Sequence, residues 1–202
     1  MRLLDPEALP LAQRERRDRV VLAATQLLRD GEYDSVQMRD VAKEGGVALA
    51  TVYRYFPSKE QLFGAVLLQW ASGYPTAAHS SRRDRAFSEN DIRSFMRRAV
   101  RAFEQFPQMV RVLMVVESST DPATRALYHE FAGNNVGSIV RALPSVEPSV
   151  ATAIIETAYG VMVTKLRAWL FGLVTIRQVE RAVERCLDLI FAPPPLSSEP
   201  GA

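Results

Sequence analysis

The sequence predicts an all-α protein of nine helices, and three observations predict it. Prolines and glycines cut the 202 residues into about nine blocks in which apolar residues recur at three- and four-residue intervals. No block alternates apolar and polar residues as a half-buried strand does. Apolar residues make up 48% of the chain and charged residues 24%, which suffices for a core and excludes disorder over most of its length.

Residues 1–11 read as flexible. The first helix spans about Ala12 to Asp30, with Val20, Val21, Ala24, Leu27 and Leu28 on one face, and Gly31 stops it. Arg14, Arg16, Arg17 and Arg19 crowd its first turns, interleaved with Glu15 and Asp18. A short second helix covers about Gln37 to Glu44 and breaks at Gly45-Gly46. A third covers about Leu49 to Phe56 and stops at Pro57. The fourth starts at Ser58, where Ser58 and Gln61 have the spacing of a capping box. It runs through Leu62, Phe63, Val66, Leu67 and Trp70 to about Ser72.

Residues 73–90 are polar and rich in Gly, Pro and Ser, and read as a linker or mobile loop. The fifth helix spans about Asp91 to Phe106 and the sixth about Gln108 to Glu117. Asp121-Pro122 then places a capping carboxylate before a proline at the first helical position. That seventh helix runs to about Leu143, with Gly133 and Gly137 as points of interruption. The eighth runs from about Pro148 to Phe171. Thr175 with Gln178 opens the ninth, which ends at Phe191. Residues 193–202 are expected to be a disordered tail. The predicted units are a helix-turn-helix domain at 12–57 and a second helical domain at 58–192.

Composition removes several function classes. One cysteine, Cys186, forbids an internal disulfide, and two histidines fifty residues apart, His79 and His129, make no ligand set. No metal or cofactor is expected. No apolar run is long enough for a membrane span. The start carries acids and prolines where a signal peptide is apolar, which points to the cytoplasm. There is no glycine-rich phosphate loop and no G-x-S-x-G elbow, so no catalytic residue is nominated and an enzyme is disfavoured. Net charge is only +2, and residues 1–62 hold ten basic and ten acidic residues. Any nucleic-acid reading rests on placement rather than on bulk charge.

The informative stretch is Tyr33 to Phe63. Two short helices joined by a tight glycine turn follow a longer helix, which is helix-turn-helix geometry. At 100° per residue with Thr51 at zero, Ala48 falls at about 60°, Arg54 at about 300° and Tyr55 at about 40°. Those four are expected to share an outward face. Leu49, Val52 and Phe56 fall at about 160°, 100° and 140° and are expected to pack inward on Val41 and Leu22 or their neighbours. A face of one small residue, one hydroxyl, one guanidinium and one phenol suits a major groove better than it suits plain solvent.

Met38-Arg39-Asp40-Val41-Ala42, Gly46-Val47, Thr51-Val52-Tyr53, Tyr55-Phe56 and Ser58-Lys59-Glu60-Gln61-Leu62 resemble the DNA-binding domain of the TetR family of bacterial transcription regulators. The likeness covers about Arg14 to Phe63. It implies a dimeric regulator, most plausibly a repressor, on a palindromic double-stranded DNA operator. By the same likeness Thr51 touches bases or backbone. Tyr53 and Tyr55 bind phosphate, and Lys59 does so at the fourth helix's N-terminus. Arg39 reaches a base edge and Arg54 reads guanine. Gln37 stands where the family has Thr or Ser, and Ala48 where it has Ser. Arg14 and Arg17 belong either to an arm reaching DNA or to a salt-bridged surface. Within the family, Gln13 to Arg17 and Tyr53 to Lys59 are similar to actinobacterial repressors of cholesterol catabolism, which implies a steroid or acyl CoA thioester as effector.

The same resemblance makes residues 58–192 an effector and dimerisation domain. Trp70, Phe103, Phe106, Met109, Leu113, Phe131, Tyr159 and Met162 would line an apolar pocket, with Glu117, Asn134 and Asn135 as polar groups. They also read as ordinary core. Arg82, Arg83, Arg85, Arg93, Arg97, Arg98 and Arg101 form either a phosphate-binding cluster or a solvated face. Ile154, Ile155, Ala158, Val161, Met162, Leu166 and Trp169 of helix eight, with Val179, Val183, Leu187 and Ile190 of helix nine, would make a homodimer through a four-helix bundle. A helical small-molecule-binding protein without DNA binding is the alternative.

Overall fold

The computed structural model describes residues 9–73, 88–140 and 146–192, and among them there are nine α-helices and no strand. The helices are α1 (Leu11–Asp30), α2 (Met38–Glu44), α3 (Leu49–Tyr55), α4 (Lys59–Ser72), α5 (Glu89–Gln105), α6 (Gln108–Glu117), α7 (Pro122–Val140), α8 (Pro148–Leu170) and α9 (Ile176–Phe191). A single 3₁₀ turn, Tyr33–Ser35, joins α1 to α2. The sequence expectation does not include it. Most of the linker at 73–90 and the whole tail at 193–202 lie outside the described residues.

Local chemistry explains the boundaries. The α2–α3 turn closes on Gly46, whose φ of 61° is costly for a residue with a Cβ. There the Gly46 amide donates to Lys43 O at 3.2 Å and the Val47 amide to Ala42 O at 3.0 Å. That pair of bonds is a Schellman closure. Gly172, at φ 72°, ends α8 the same way, with Gly172 N to Trp169 O and Leu173 N to Ala168 O, both 2.9 Å. Asp121 caps α7, its carboxylate accepting from Thr124 N at 2.8 Å. Thr175 and Gln178 form the full reciprocal box. The Ser58 box is only half made. Ser58 Oγ accepts from the Gln61 amide at 3.2 Å, but the Gln61 side chain turns away and donates to Asp121 at 3.0 Å. Neither Gly133 nor Gly137 interrupts α7, which runs through both.

Helices α1, α2 and α3 pack together around Val20, Val21, Ala24, Val41, Val52 and Phe56, all at 1% exposure or less. α4 carries this unit to the rest. It packs on α1 at one side and on α6 and α7 at the other. Leu62, Phe63, Val66 and Leu67 of α4 are fully buried. Gly64 allows α7 to approach closely, since a Cβ there would lie 2.7 Å from Leu127 Cδ1. α8 and α9 pair, and α5 closes on both. Arg93 of α5 clamps that end with Glu89 at 2.7 Å, Glu184 at 2.7 Å and Asp188 at 2.8 Å. No described helix is long and apolar enough to cross a membrane.

Candidate nucleic-acid interface

α3 presents one exposed face on the unit formed by the first three helices. It has seven residues and a length of about 10 Å, and an α-helix about 10–12 Å in diameter fits a major groove roughly 12 Å wide. Ala48, Ala50, Tyr53 and Arg54 are exposed and Thr51 is half-buried. Tyr53 keeps 46% of its surface. Gln37 and Arg39, at the start of α2, are exposed beside this face, and Arg39 pairs loosely with Asp40 at 3.7 Å.

Three placements correct or narrow the sequence expectation. Tyr55 is not outward. It is 2% exposed, and its hydroxyl is buried with no hydrogen-bond partner, so it reaches no phosphate from this position. Leu49 is not inward; it keeps 41% of its surface, and Leu22, its expected partner, keeps 52%. The reason is a rotation of the helix about its axis. The buried arc centres on Val52, so it runs from Tyr55 at about 40° to Phe56 at about 140°, and Leu49 at about 160° falls just outside it. Arg17 is the third placement, and of the two readings open to it the structure favours the salt-bridged surface. Its guanidinium lies 5.2 Å from the Phe56 ring centre and pairs with Asp18 at 3.3 Å. Burial pushes its pKa down. It fastens α1 over α3 rather than extending as an arm. Arg14, one turn earlier, is half-buried.

Lys59 is also engaged within the chain. Its ammonium donates to the Tyr33 carbonyl and lies 4.3 Å from the Tyr33 ring centre. Burial lowers its pKa, with Asp34 and Glu60 opposing that shift. A second, long bond reaches the Asp34 carbonyl at 3.5 Å, which leaves the third ammonium proton for an anion at the N-terminus of α4, where the helix dipole favours one.

The Tyr33–Ser35 turn is the joint between the two halves. Tyr33 is buried and meets the Phe63 ring edge-on at 5.0 Å. Its amide donates to Gln108 Oε1 of α6 at 3.1 Å. Arg111 of α6 donates to the Asp34 carboxylate at 3.1 Å. Arg29 of α1 lies over Phe106 at 4.7 Å. Locally the Ser35 amide and hydroxyl both donate to the Glu32 carbonyl, at 3.0 and 2.8 Å, and contacts from α4 and α6 fix the turn in place.

The expected effector lining divides. Phe103, Phe106, Met109, Leu113, Phe131 and Met162 are each at most 5% exposed and belong to the continuous core. Trp70 is half-buried and meets the Phe103 ring at 4.8 Å with the planes tilted by 54°. Asn134 is exposed. The side chain of Asn135 lies outside the described residues. Glu117 and Tyr159 do meet at a cavity of about 320 Å³ between α6, α7 and α8, which Tyr128, Val163 and Arg167 also line. Glu117 accepts from Arg167 at 3.0 Å and from the Tyr128 hydroxyl at 3.3 Å. The Tyr159 hydroxyl is buried with no hydrogen-bond partner, and that burial raises its pKa. The arginine cluster divides too. Arg93 is consumed by three carboxylates, Arg97 stands 3.6 Å from Glu184, and Arg82, Arg83 and Arg85 lie outside the described residues.

The expected dimer surface also needs revision. Ile155, Ala158, Met162, Leu166, Val179, Val183 and Leu187 are buried in this chain's own core, at 3% exposure or less. Of the residues expected there, Ile154, Val161, Trp169 and Ile190 remain half-buried, and α8 adds exposed Val150 and Thr157, with exposed Phe171 just beyond its end. Leu189 of α9 is 81% exposed.

Comparison with known proteins agrees with this geometry. Residues 20–66 match the family model of bacterial regulatory proteins, tetR family. The HTH-type transcriptional repressor KstR of Mycolicibacterium smegmatis is 50% identical over 56 residues, which are 28% of this chain and 28% of that protein. The match thus spans little more than a quarter of that curated relative. A TetR transcriptional regulator from Rhodococcus sp. RHA1 superposes with a TM-score of 0.70 at 25% identity, over 90% of this chain and 97% of its own. Thermus thermophilus FadR, a TetR-family repressor solved with lauroyl-CoA, gives 0.70 at 16% identity, over 92% and 98%. The second of these supports the fold alone.

Proposed function

We propose that this chain, a member of the tetR family of bacterial regulatory proteins, is a dimeric, ligand-responsive repressor that reads a palindromic DNA operator with α3. The observation that carries the reading is the exposed face of α3. Tyr53 and Arg54 stand out from a helix whose other side is locked by Val52, Tyr55 and Phe56. Arg54 offers the bidentate fork that guanine accepts in the major groove. Tyr53, Lys59, Gln37 and the amides opening α4 supply phosphate contacts that set register. Thr51 and Arg39 flank the base-reading position.

Two such helices are brought to one duplex by pairing of α8 and α9 with a second copy, and the residues that α8 leaves exposed or half-buried, with Leu189, support that. A two-fold axis in the protein then requires inverted half-sites in the DNA. The effector is hydrophobic, of the acyl or steroid CoA class, and the protein works in the cytoplasm. It acts only through unequal affinity for DNA-competent and DNA-incompetent arrangements of α4. The domain division, 12–57 for DNA and 58–192 for effector and dimer, follows the start of α4.

The test is selection of host genomic fragments by the purified protein, with sequencing of what is bound. Enrichment of inverted repeats is expected. No enrichment over random DNA at moderate salt contradicts the reading.

A further inference from the structure

A cavity of about 330 Å³ opens between α6 and α8, lined by Arg111, Met114, Val115, Glu117, Ser118 and Arg167. It holds two guanidiniums against one carboxylate, over an apolar floor. The chain itself occupies both guanidiniums. Arg167 donates to Glu117 at 3.0 Å, and Arg111 to Asp34 at 3.1 Å. All four side chains keep a third or more of their surface, so water and salt compete with both pairs. Glu117 is also the last residue of α6, where the helix dipole opposes a negative charge. The resident carboxylates are weak competitors.

We infer that this cavity is an anion site: Arg111 and Arg167 take the carboxylate or phosphate end of an amphipathic ligand in exchange for Asp34 and Glu117. Guanidinium forks match either oxyanion bidentately. Met114 and Val115 meet the first carbons of the ligand. Glu117 and Arg167 also wall the cavity of about 320 Å³ on the α7 side. Parting that pair joins the two spaces and admits a longer apolar body, with the unpartnered Tyr159 hydroxyl as a donor to a ligand oxygen. This rests on the ligand-responsive reading above and gives it a route. The carboxylate that leaves Arg111 is Asp34, in the turn that joins α6 to the DNA-reading helices.

The experiment is calorimetric titration of the full-length chain with decanoate, decanol, lauroyl-CoA and free CoA. Decanoate is expected to bind at least about tenfold more tightly than decanol. Arg167→Gln removes that difference and leaves decanol unmoved. Glu117→Gln, which removes the internal competitor, tightens decanoate, and it keeps the test decisive if Arg167→Gln unfolds. Arg167-dependent binding of free CoA assigns the head group to phosphate; dependence confined to decanoate assigns it to carboxylate. Equal affinity for decanoate and decanol, or no binding of any probe at millimolar concentration, overturns the site. DNA release from Arg167→Gln by an uncharged ligand sinks the site and spares the regulator. Capture of decanoate through Arg167 without effect on DNA does the reverse.

Discussion

Replacing Tyr55 with phenylalanine separates the structure from the sequence resemblance. By resemblance the Tyr55 hydroxyl binds phosphate, and Tyr55→Phe should weaken DNA binding. In the structure the ring is 2% exposed and its hydroxyl has no hydrogen-bond partner. An orphaned buried hydroxyl costs about 1–3 kcal/mol. Tyr55→Phe removes that cost and keeps the ring, including its contact with Arg54 at 5.2 Å. Stability should rise by up to about 1–3 kcal/mol, or roughly 2–4 °C in Tm for each 1 kcal/mol in a chain of this size. Tm must be compared at one protomer concentration, because a dimer's Tm depends on it. Operator affinity, by fluorescence anisotropy, should stay within about twofold, far below the tenfold that 1.4 kcal/mol represents. A stability loss above about 1 kcal/mol, or a tenfold loss of affinity with the fold intact, would refute the reasoning.

Other perturbations test the rest. Gly64→Ala drives a methyl into Leu127 at 2.7 Å and should cost about 1–3 kcal/mol in chemical denaturation. In a Leu127→Ala background, where the clashing side chain is gone, Gly64→Ala should cost clearly less than it does alone, which a double-mutant cycle reads. Leu189→Glu places a charge on a side chain that is 81% exposed in the single chain. The fold should persist while light scattering shows a shift from dimer to monomer; an unchanged dimer puts the interface elsewhere. Asp121 is held below the usual carboxylate range, chiefly by the Thr124 hydroxyl and amide, with Gln61 adding to them. A depressed folded-state pKa contributes stability above the ordinary carboxylate range and loses it as pH falls through the depressed value. Asp121→Asn should therefore lower stability at neutral pH and flatten the acid limb of the stability profile.

Much of this was legible in the sequence because helices announce themselves locally. The nine blocks, the Gly45-Gly46 break, the Thr175 box and the Asp121-Pro122 start depend on residues within one turn of each other, and all nine helices are found. What failed depended on tertiary contact. Seven residues on α3 cannot fix its rotation to better than a residue's arc, so Leu49 and Tyr55 exchanged sides. Gln61 could serve Ser58 or Asp121, and only the fold brings Asp121 within 3.0 Å. The same holds for Arg17 on Phe56 and Arg93 among three carboxylates. The Tyr33–Ser35 turn is held in place by Lys59, Phe63, Gln108 and Arg111, which lie 26 to 77 positions from the residues they touch and leave no local pattern. On the core face, aromatics that pack and aromatics that line a pocket share one periodicity, so sequence alone could not divide them.

In the proposed complex α3 reads bases while the start of α4 holds the backbone. The direct measurement is binding of Arg54→Ala and Lys59→Ala to a selected operator and to random DNA across a salt series. Arg54→Ala should lose about 1–3 kcal/mol on the operator and almost nothing on random DNA. Lys59→Ala should weaken both equally and reduce the salt slope by about one. Equal losses from both variants on both DNAs would contradict the division of roles, and no loss from Arg54→Ala would remove α3 as the reading helix.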